Sequence, residues 1–182
     1  WDYIVTQQAS HDSGWQDTYE PFLGLILEYL KEKTGKKDTA CGHRPEILLH
    51  ETWAYEHGST HSNFMRYHRS QEEMFERLRK CYHAMAEKYG LRLIPSGEVI
   101  QYVRGKDPFI VPEGGISLCR DGFHMSYLYG RYLLACVWGK TLFGIRAEES
   151  DYIPESAAFP EKADEKLVKR IRCLADEYWL RA

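Results

Sequence analysis

Glu46-Ile47-Leu48-Leu49-His50, running straight into Glu51-Thr52-Trp53-Ala54-Tyr55, is the stretch on which the fold turns. Its first half is a short apolar run, too short for a helix and composed like a strand. Its second half is polar and aromatic, so the strand delivers chemistry at its C-terminal end. Two other segments repeat the plan. Tyr3 to Gln7 is a β-branched and aromatic run that opens into the polar loop Gln8 to Thr18, and Leu91 to Pro95 leads into Ser96-Gly97.

Helical periodicity fills the spaces between these runs. Phe22, Leu25, Ile26, Tyr29 and Leu30 recur on one face, and Gly35 ends the pattern before a loop from Thr34 to Pro45. Ser70 and Glu73 form a capping-box signature ahead of Met74, Leu78, Cys81, Tyr82 and Met85, with Gly90 as the stop. Gly97 to Arg120 reads as a long mixed connection punctuated by glycine and proline. The apolar run from Met125 to Phe143 predicts a buried helix with Ser126 able to cap it. Residues 145–182 read as a linker followed by an amphipathic helix on Leu167, Ile171, Leu174 and Tyr178.

Strands alternating with helices predict right-handed βαβ units around a parallel sheet. At 182 residues the chain is expected to be a single domain. Open sheets of this kind carry their working residues on loops after the strand C-termini, where the polar loops of this chain fall. Three strands make a thin sheet, and the strand at Tyr3 begins almost at Trp1. The expectation is therefore an N-terminally incomplete domain.

Composition narrows the function. Apolar content of 43% and charged content of 28% are those of a globular chain, and a net charge of -3 gives no electrostatic footprint for nucleic acid. No stretch is long and apolar enough to span a bilayer as a helix. Five cysteines, Cys41, Cys81, Cys119, Cys136 and Cys173, form no CxxC pair, which argues against a structural zinc site of that kind. They leave the compartment open between a periplasmic or secreted location and a cytoplasmic one. The 25 aromatic residues suit either a sugar-lined cleft or a tyrosine-heavy core.

Asp121-Gly122-Phe123-His124 carries the strongest chemical signal. A carboxylate three residues before an imidazole can accept from its Nδ1 and orient it as a general base. The plainer reading is that Asp121 caps a turn and His124 sits half exposed. Gln7-Gln8-Ala9-Ser10-His11-Asp12-Ser13-Gly14 offers side-chain amides for an oxyanion, or is a polar turn. Ser10 or Ser13 as nucleophile is a weaker reading, because neither lies on a glycine-flanked elbow. A metal site on His50, Glu51, His57 and His61 is weaker still, since the spacing is not HExxH.

Together these blocks resemble the SGNH hydrolases, the GDSL-type esterases and lipases. Asp121-Gly122-Phe123-His124 matches the family's final block, and Gly130-Arg131-Tyr132 follows it as small and aromatic residues do there. Trp1 to Gly14, Leu48 to Tyr55 and Leu93 to Gly97 are similar to successive strands with their exits. The family's Gly-Asp-Ser block and its oxyanion glycine have no counterpart, and Ala9-Ser10-His11-Asp12 stands where Gly-x-Asn-Asp is expected.

The resemblance implies a flavodoxin-like three-layer α/β/α fold and ester hydrolysis without metal or cofactor. Asp121 would orient His124 as base and then acid. The nucleophilic serine would lie upstream of Trp1, on a segment that completes the sheet, so the 182-residue chain alone is expected to be inactive. Gln7, Gln8, Ser10, His11, Glu51, Trp53 and Tyr55 would form the oxyanion and substrate loops, with Tyr67 nearby. The substrate would be a small-molecule or carbohydrate ester, with carbohydrate O-deacetylation as one class. The alternative is a non-catalytic carbohydrate-binding or interaction domain on a decayed hydrolase scaffold.

Overall fold

Three short strands pair in parallel in the computed structural model, which describes residues 1–35, 44–155 and 162–181. They are β1 (Tyr3–Thr6), β2 (Glu46–His50) and β3 (Arg92–Ile94), in the order β1-β2-β3. The central strand sets the register: Leu48 lies opposite Val5 and Arg92, and Leu49 opposite Thr6 and Leu93. Both of its leucines are buried because successive residues face opposite sides and each side has its own core. This is why β2 reads as continuous apolar sequence rather than as an alternating one.

Leu49 packs into one core with Ile47 and Leu93 from the sheet. The cover there comes from the two crossover helices, α1 (Phe22–Thr34) through Leu23 and Leu27, and α2 (Gln71–Tyr89) through Met74, Leu78, Tyr82 and Met85. The Ser70 hydroxyl caps α2 by accepting from the Glu73 N–H at 3.1 Å, and Gly90 ends it in the left-handed region at φ 62°. Leu48 and Ile94 face the second core. That core is closed by α3 (Ser96–Arg104), α4 (Tyr129–Phe143) and α5 (Glu165–Trp179), which contribute Val99, Val103, Leu133, Val137, Val168 and Ile171. The result is the expected three-layer α/β/α arrangement.

On α1 the face read from Phe22, Leu25, Ile26 and Tyr29 is exposed, and Leu23 and Leu27 are buried instead; two further segments differ in their elements. Ser96–Arg104 is helical rather than part of an irregular connection. Val99, Ile100 and Val103 have helical spacing and are all fully buried, but Gly97 near the start masks the pattern. That glycine is required, since a Cβ there would stand 2.2 Å from the Thr52 carbonyl oxygen. The second difference is that α4 starts at Tyr129, not at Met125. Cys119 and Met125 instead form an antiparallel bridge, and the residues between them make a tight hairpin. Ser126 still serves the helix, its hydroxyl accepting from the Gly130 N–H at 2.9 Å.

The segment after α4 is built into the domain. Asp164 caps α5 by accepting from the Lys166 N–H at 2.7 Å, and buried Asp176 accepts from the N–H groups of Ala147 and Glu148. Cys41, most of the loop before β2 and part of the linker before α5 lie outside the described residues. Among the described residues no helix is long and apolar enough to cross a membrane.

The central strand should dominate stability. Leu48→Ala is expected to cost about 3–5 kcal/mol through lost burial and a residual cavity, whereas Leu25→Ala on the exposed side of α1 should stay within about 0.5 kcal/mol. Urea unfolding of the two variants checks the contrast.

Candidate functional site

The tight hairpin is where the acid and imidazole meet. Asp-Gly is a hairpin-turn pair, and Gly122 takes φ 83°. A Cβ at Gly122 would lie 3.0 Å from the Ser59 side chain, so a larger residue would crowd Ser59 as well as strain the backbone. Asp121 uses both carboxylate oxygens. Oδ1 accepts from the backbone N–H groups of Phe123 (3.2 Å) and His124 (2.8 Å), which closes the turn. Oδ2 lies 2.7 Å from His124 Nδ1. Turn-capping and imidazole-orienting, set against each other in the sequence reading, are performed by one carboxylate.

That arrangement fixes the ring. A carboxylate only accepts, so Nδ1 carries the proton and Nε2 is left as the basic nitrogen. Partial burial works against ionisation of Asp121, but the hydrogen bonds from the His124 ring and the two backbone N–H groups outweigh it and hold the carboxyl at about 2. The Arg120 guanidinium stands 3.7 Å from Asp121 Oδ2.

The loop after β2 clamps this hairpin. Trp53 Nε1 donates to the Phe123 carbonyl at 2.7 Å, and the Glu56 N–H donates to the Gly122 carbonyl at 2.7 Å. The clamp is itself anchored: buried Arg104 donates to the Ala54 carbonyl at 2.8 Å and faces the buried Glu56 carboxylate at 3.5 Å. The Ser117 hydroxyl donates to Glu56 from the other side.

A cleft of about 340 Å³ opens beside the ring, lined by Gln7, Ser10, His11, Thr52, Trp53, Tyr55, His61, Phe123 and His124. It gathers the exits of β1 and β2 and the hairpin at the C-terminal edge of the sheet. The Ser10 hydroxyl pairs with the Tyr55 phenol at 3.1 Å. Tyr55, His61 and Phe123 make an aromatic wall, with the His61 ring 4.6 Å from each of the other two. Gln7 Oε1 is bound to His50 Nδ1 at 2.8 Å, while its Nε2 makes no hydrogen bond among the described residues.

Several residues expected here are elsewhere. Gln8 is consumed by structure: its Nε2 donates to the Thr18 carbonyl at 2.8 Å and its Oε1 accepts from the Ala9 N–H. Ser13 is fully buried and donates to the Ser10 carbonyl, which removes it as a nucleophile candidate. Tyr67 is buried beneath the first loop, donating to the His11 carbonyl at 2.9 Å. Glu51 turns away from the cleft and accepts the Glu98 N–H at the start of α3, at 2.9 Å. Burial, then the nearby Glu98 charge, push its carboxyl up to about 8. His50, His57 and His61 do not converge: His57 is exposed, His61 belongs to the aromatic wall and His50 is buried.

His50 has a role that its sequence position did not show. Its Nε2 lies 2.8 Å from the Ser96 hydroxyl, so Gln7, His50 and Ser96 form a chain across the ends of the three strands. Burial pushes the ring down to about 4 and keeps it neutral. Among the described residues no serine hydroxyl bonds to His124, whose ring is half exposed toward the cleft.

The Asp121 carboxyl is expected to titrate with a midpoint near 2 by carbon-detected NMR. In His124→Ala the midpoint should rise toward ordinary aspartate values. An unchanged midpoint would show that the imidazole does not hold it.

Comparisons with known proteins place this architecture. The model of a domain of unknown function, DUF4886, matches residues 1–169. The crystal structure of a DUF4886 family protein from Bacteroides uniformis ATCC 8492 matches with a TM-score of 0.81 and 32% identity, over 99% of this chain and 62% of that one. This chain therefore spans less than two thirds of the Bacteroides protein. A protein from Slackia heliotrinireducens described as a candidate SGNH hydrolase matches with a TM-score of 0.46 and 19% identity, over 78% of this chain and 66% of that one. No curated protein matches. With its family model spanning nearly the whole length and a solved family member alike across almost all of it, the chain belongs to the DUF4886 family.

Proposed function

We propose that this chain supplies the Asp-His half of a serine-type ester hydrolase of the SGNH class. The observation that carries the reading is the 2.7 Å bond between Asp121 and His124 at the C-terminal edge of a parallel sheet, with the ring lining a cleft. In this reading His124 Nε2 takes the proton of an attacking serine and returns it to the leaving alcohol, while Asp121 holds the ring and stabilises its charged form. The free Nε2 of Gln7 is the amide donor best placed to face an oxyanion. Trp53, His61 and Phe123, backed by the buried Tyr55 ring, offer aromatic surface suited to a sugar ring, which favours a carbohydrate acetyl ester.

The serine belongs, on this proposal, to an upstream strand paired with β1. Among the described residues the outer edge of β1 has no partner strand, and its four residues are only half buried. Phe22, Leu25, Ile26 and Tyr29 of α1 are exposed nearby, and Phe143 lies edge-on to Tyr3 while 65% exposed. An open strand edge between two exposed apolar surfaces is the surface a further strand and helix would cover. A non-catalytic sugar-binding domain would use the same aromatic cleft and leave His124 idle.

The test is hydrolysis of acetyl esters by this chain and by a longer polypeptide that includes upstream sequence. The longer form is expected to be active and the shorter one inactive. In the active form His124→Ala should abolish turnover, and Asp121→Asn should lower kcat by about 10⁴-fold through the wrong tautomer. Full activity from the 182-residue chain would overturn the upstream serine. Sugar binding with no hydrolysis by either form would favour the binding domain.

A further inference from the structure

Away from the cleft, α2, α3 and the exit of β2 bring together three groups the proposed hydrolysis does not use. Glu51, His83 and Glu98 each offer a ligand atom, and these atoms all lie within 4.8 Å of one another. Glu51 is fully buried. One of its oxygens accepts the Glu98 N–H, and the other, Oε1, is buried with no hydrogen-bond partner. A carboxylate oxygen removed from water without a donor costs free energy, and a native fold seldom leaves one so.

The surroundings aim the donors. Glu98 Oε2 is occupied, accepting from the Tyr178 phenol at 2.9 Å and facing Arg79 Nε at 3.2 Å. Its Oε1 is thereby turned to His83 Nε2, 2.6 Å away. The His83 ring is half exposed, which gives an ion a route in from solvent. We propose that Glu51, His83 and Glu98 bind one divalent transition-metal cation, with Zn²⁺ the ion that best fits the donor set. One imidazole and two carboxylates match borderline cations, whereas Mg²⁺ and Ca²⁺ favour oxygen-only shells.

Tetrahedral zinc holds its donors at about 2.0–2.2 Å, so that neighbouring donors stand roughly 3.3 Å apart. The three groups reach that spacing by side-chain adjustment, most of it from exposed His83. The proton between His83 Nε2 and Glu98 Oε1 and the proton that burial keeps on Glu51 both leave to solvent as the ion takes their place, and water completes the shell. Arg79 stays on Glu98 Oε2, outside the coordination sphere. The ion would tie α2 and α3 to the residue just before Thr52 and Trp53, making it a clamp behind the cleft.

The test titrates the chelator-stripped chain with ZnCl₂ by calorimetry and examines the loaded protein by X-ray absorption. One saturable site is expected, with a nitrogen and oxygen shell that contains one imidazole and no sulfur. His83→Ala alters a half-exposed side chain and should fold normally. Glu51→Gln keeps an acceptor for the Glu98 N–H. Each should weaken binding by at least about 10-fold, since loss of even outer-shell partners has that effect. His61→Ala should leave binding unchanged. Absence of a saturable site, binding untouched by both His83→Ala and Glu51→Gln, or binding lost in His61→Ala would each overturn the proposal.

Discussion

The C-terminal edge of this sheet depends on one buried imidazole. The strands are four, five and three residues long, so their backbone ladders alone hold little. His50 joins their ends: Gln7 follows β1, His50 closes β2 and Ser96 follows β3. Because burial keeps the ring neutral, it has one donor and one acceptor to place. The Gln7 carbonyl takes the donor at Nδ1, leaving Nε2 to accept from the Ser96 hydroxyl, with the Trp138 indole N–H also approaching at 3.4 Å. The partners thus select the tautomer, and the ring in return sets the spacing of three loops.

The same strand then orders the Asp-His hairpin from a distance. A hairpin with a single bridge and an exposed turn has little stability of its own. Its two central carbonyls are held by Trp53 and by the Glu56 N–H, both on the exit of β2. Glu56 is in turn held by Arg104 from α3 and by Ser117. The 2.7 Å contact between Asp121 and His124 is therefore local in sequence and non-local in support. A pair supported this way has its geometry fixed by the fold rather than by its own short turn.

What the sequence made legible follows from this division. The β2 boundaries, the Ser70–Glu73 cap and the Asp121–His124 pair rest on residues within a few positions of one another, and each was read directly. α3 was hidden by Gly97, whose presence answers a contact with Thr52 rather than any local preference. The hairpin did leave a signal in Asp121-Gly122, which was read as an acid and imidazole at the mouth of a helix rather than as the turn of a hairpin. Glu51 was placed in the cleft because it lies on the exit of β2, yet its side chain turns to the start of α3. His50 with Ser96, and Glu51 with His83 and Glu98, are joined by partners 15 to 47 positions apart. No periodicity or motif spacing reports such pairs.

The cleft is also lopsided in a way that bears on the chemistry. The exit of β1, the exit of β2 and the hairpin supply its walls, and the β1 side is where the described sheet stops. Adjacent strands stand about 4.8 Å apart, so the end of a strand paired with β1 would fall one strand-width beyond Gln7. Asp121 orients the imidazole, His124 Nε2 makes no hydrogen bond among the described residues, and the open edge of the described sheet lies on the β1 side of the same cleft.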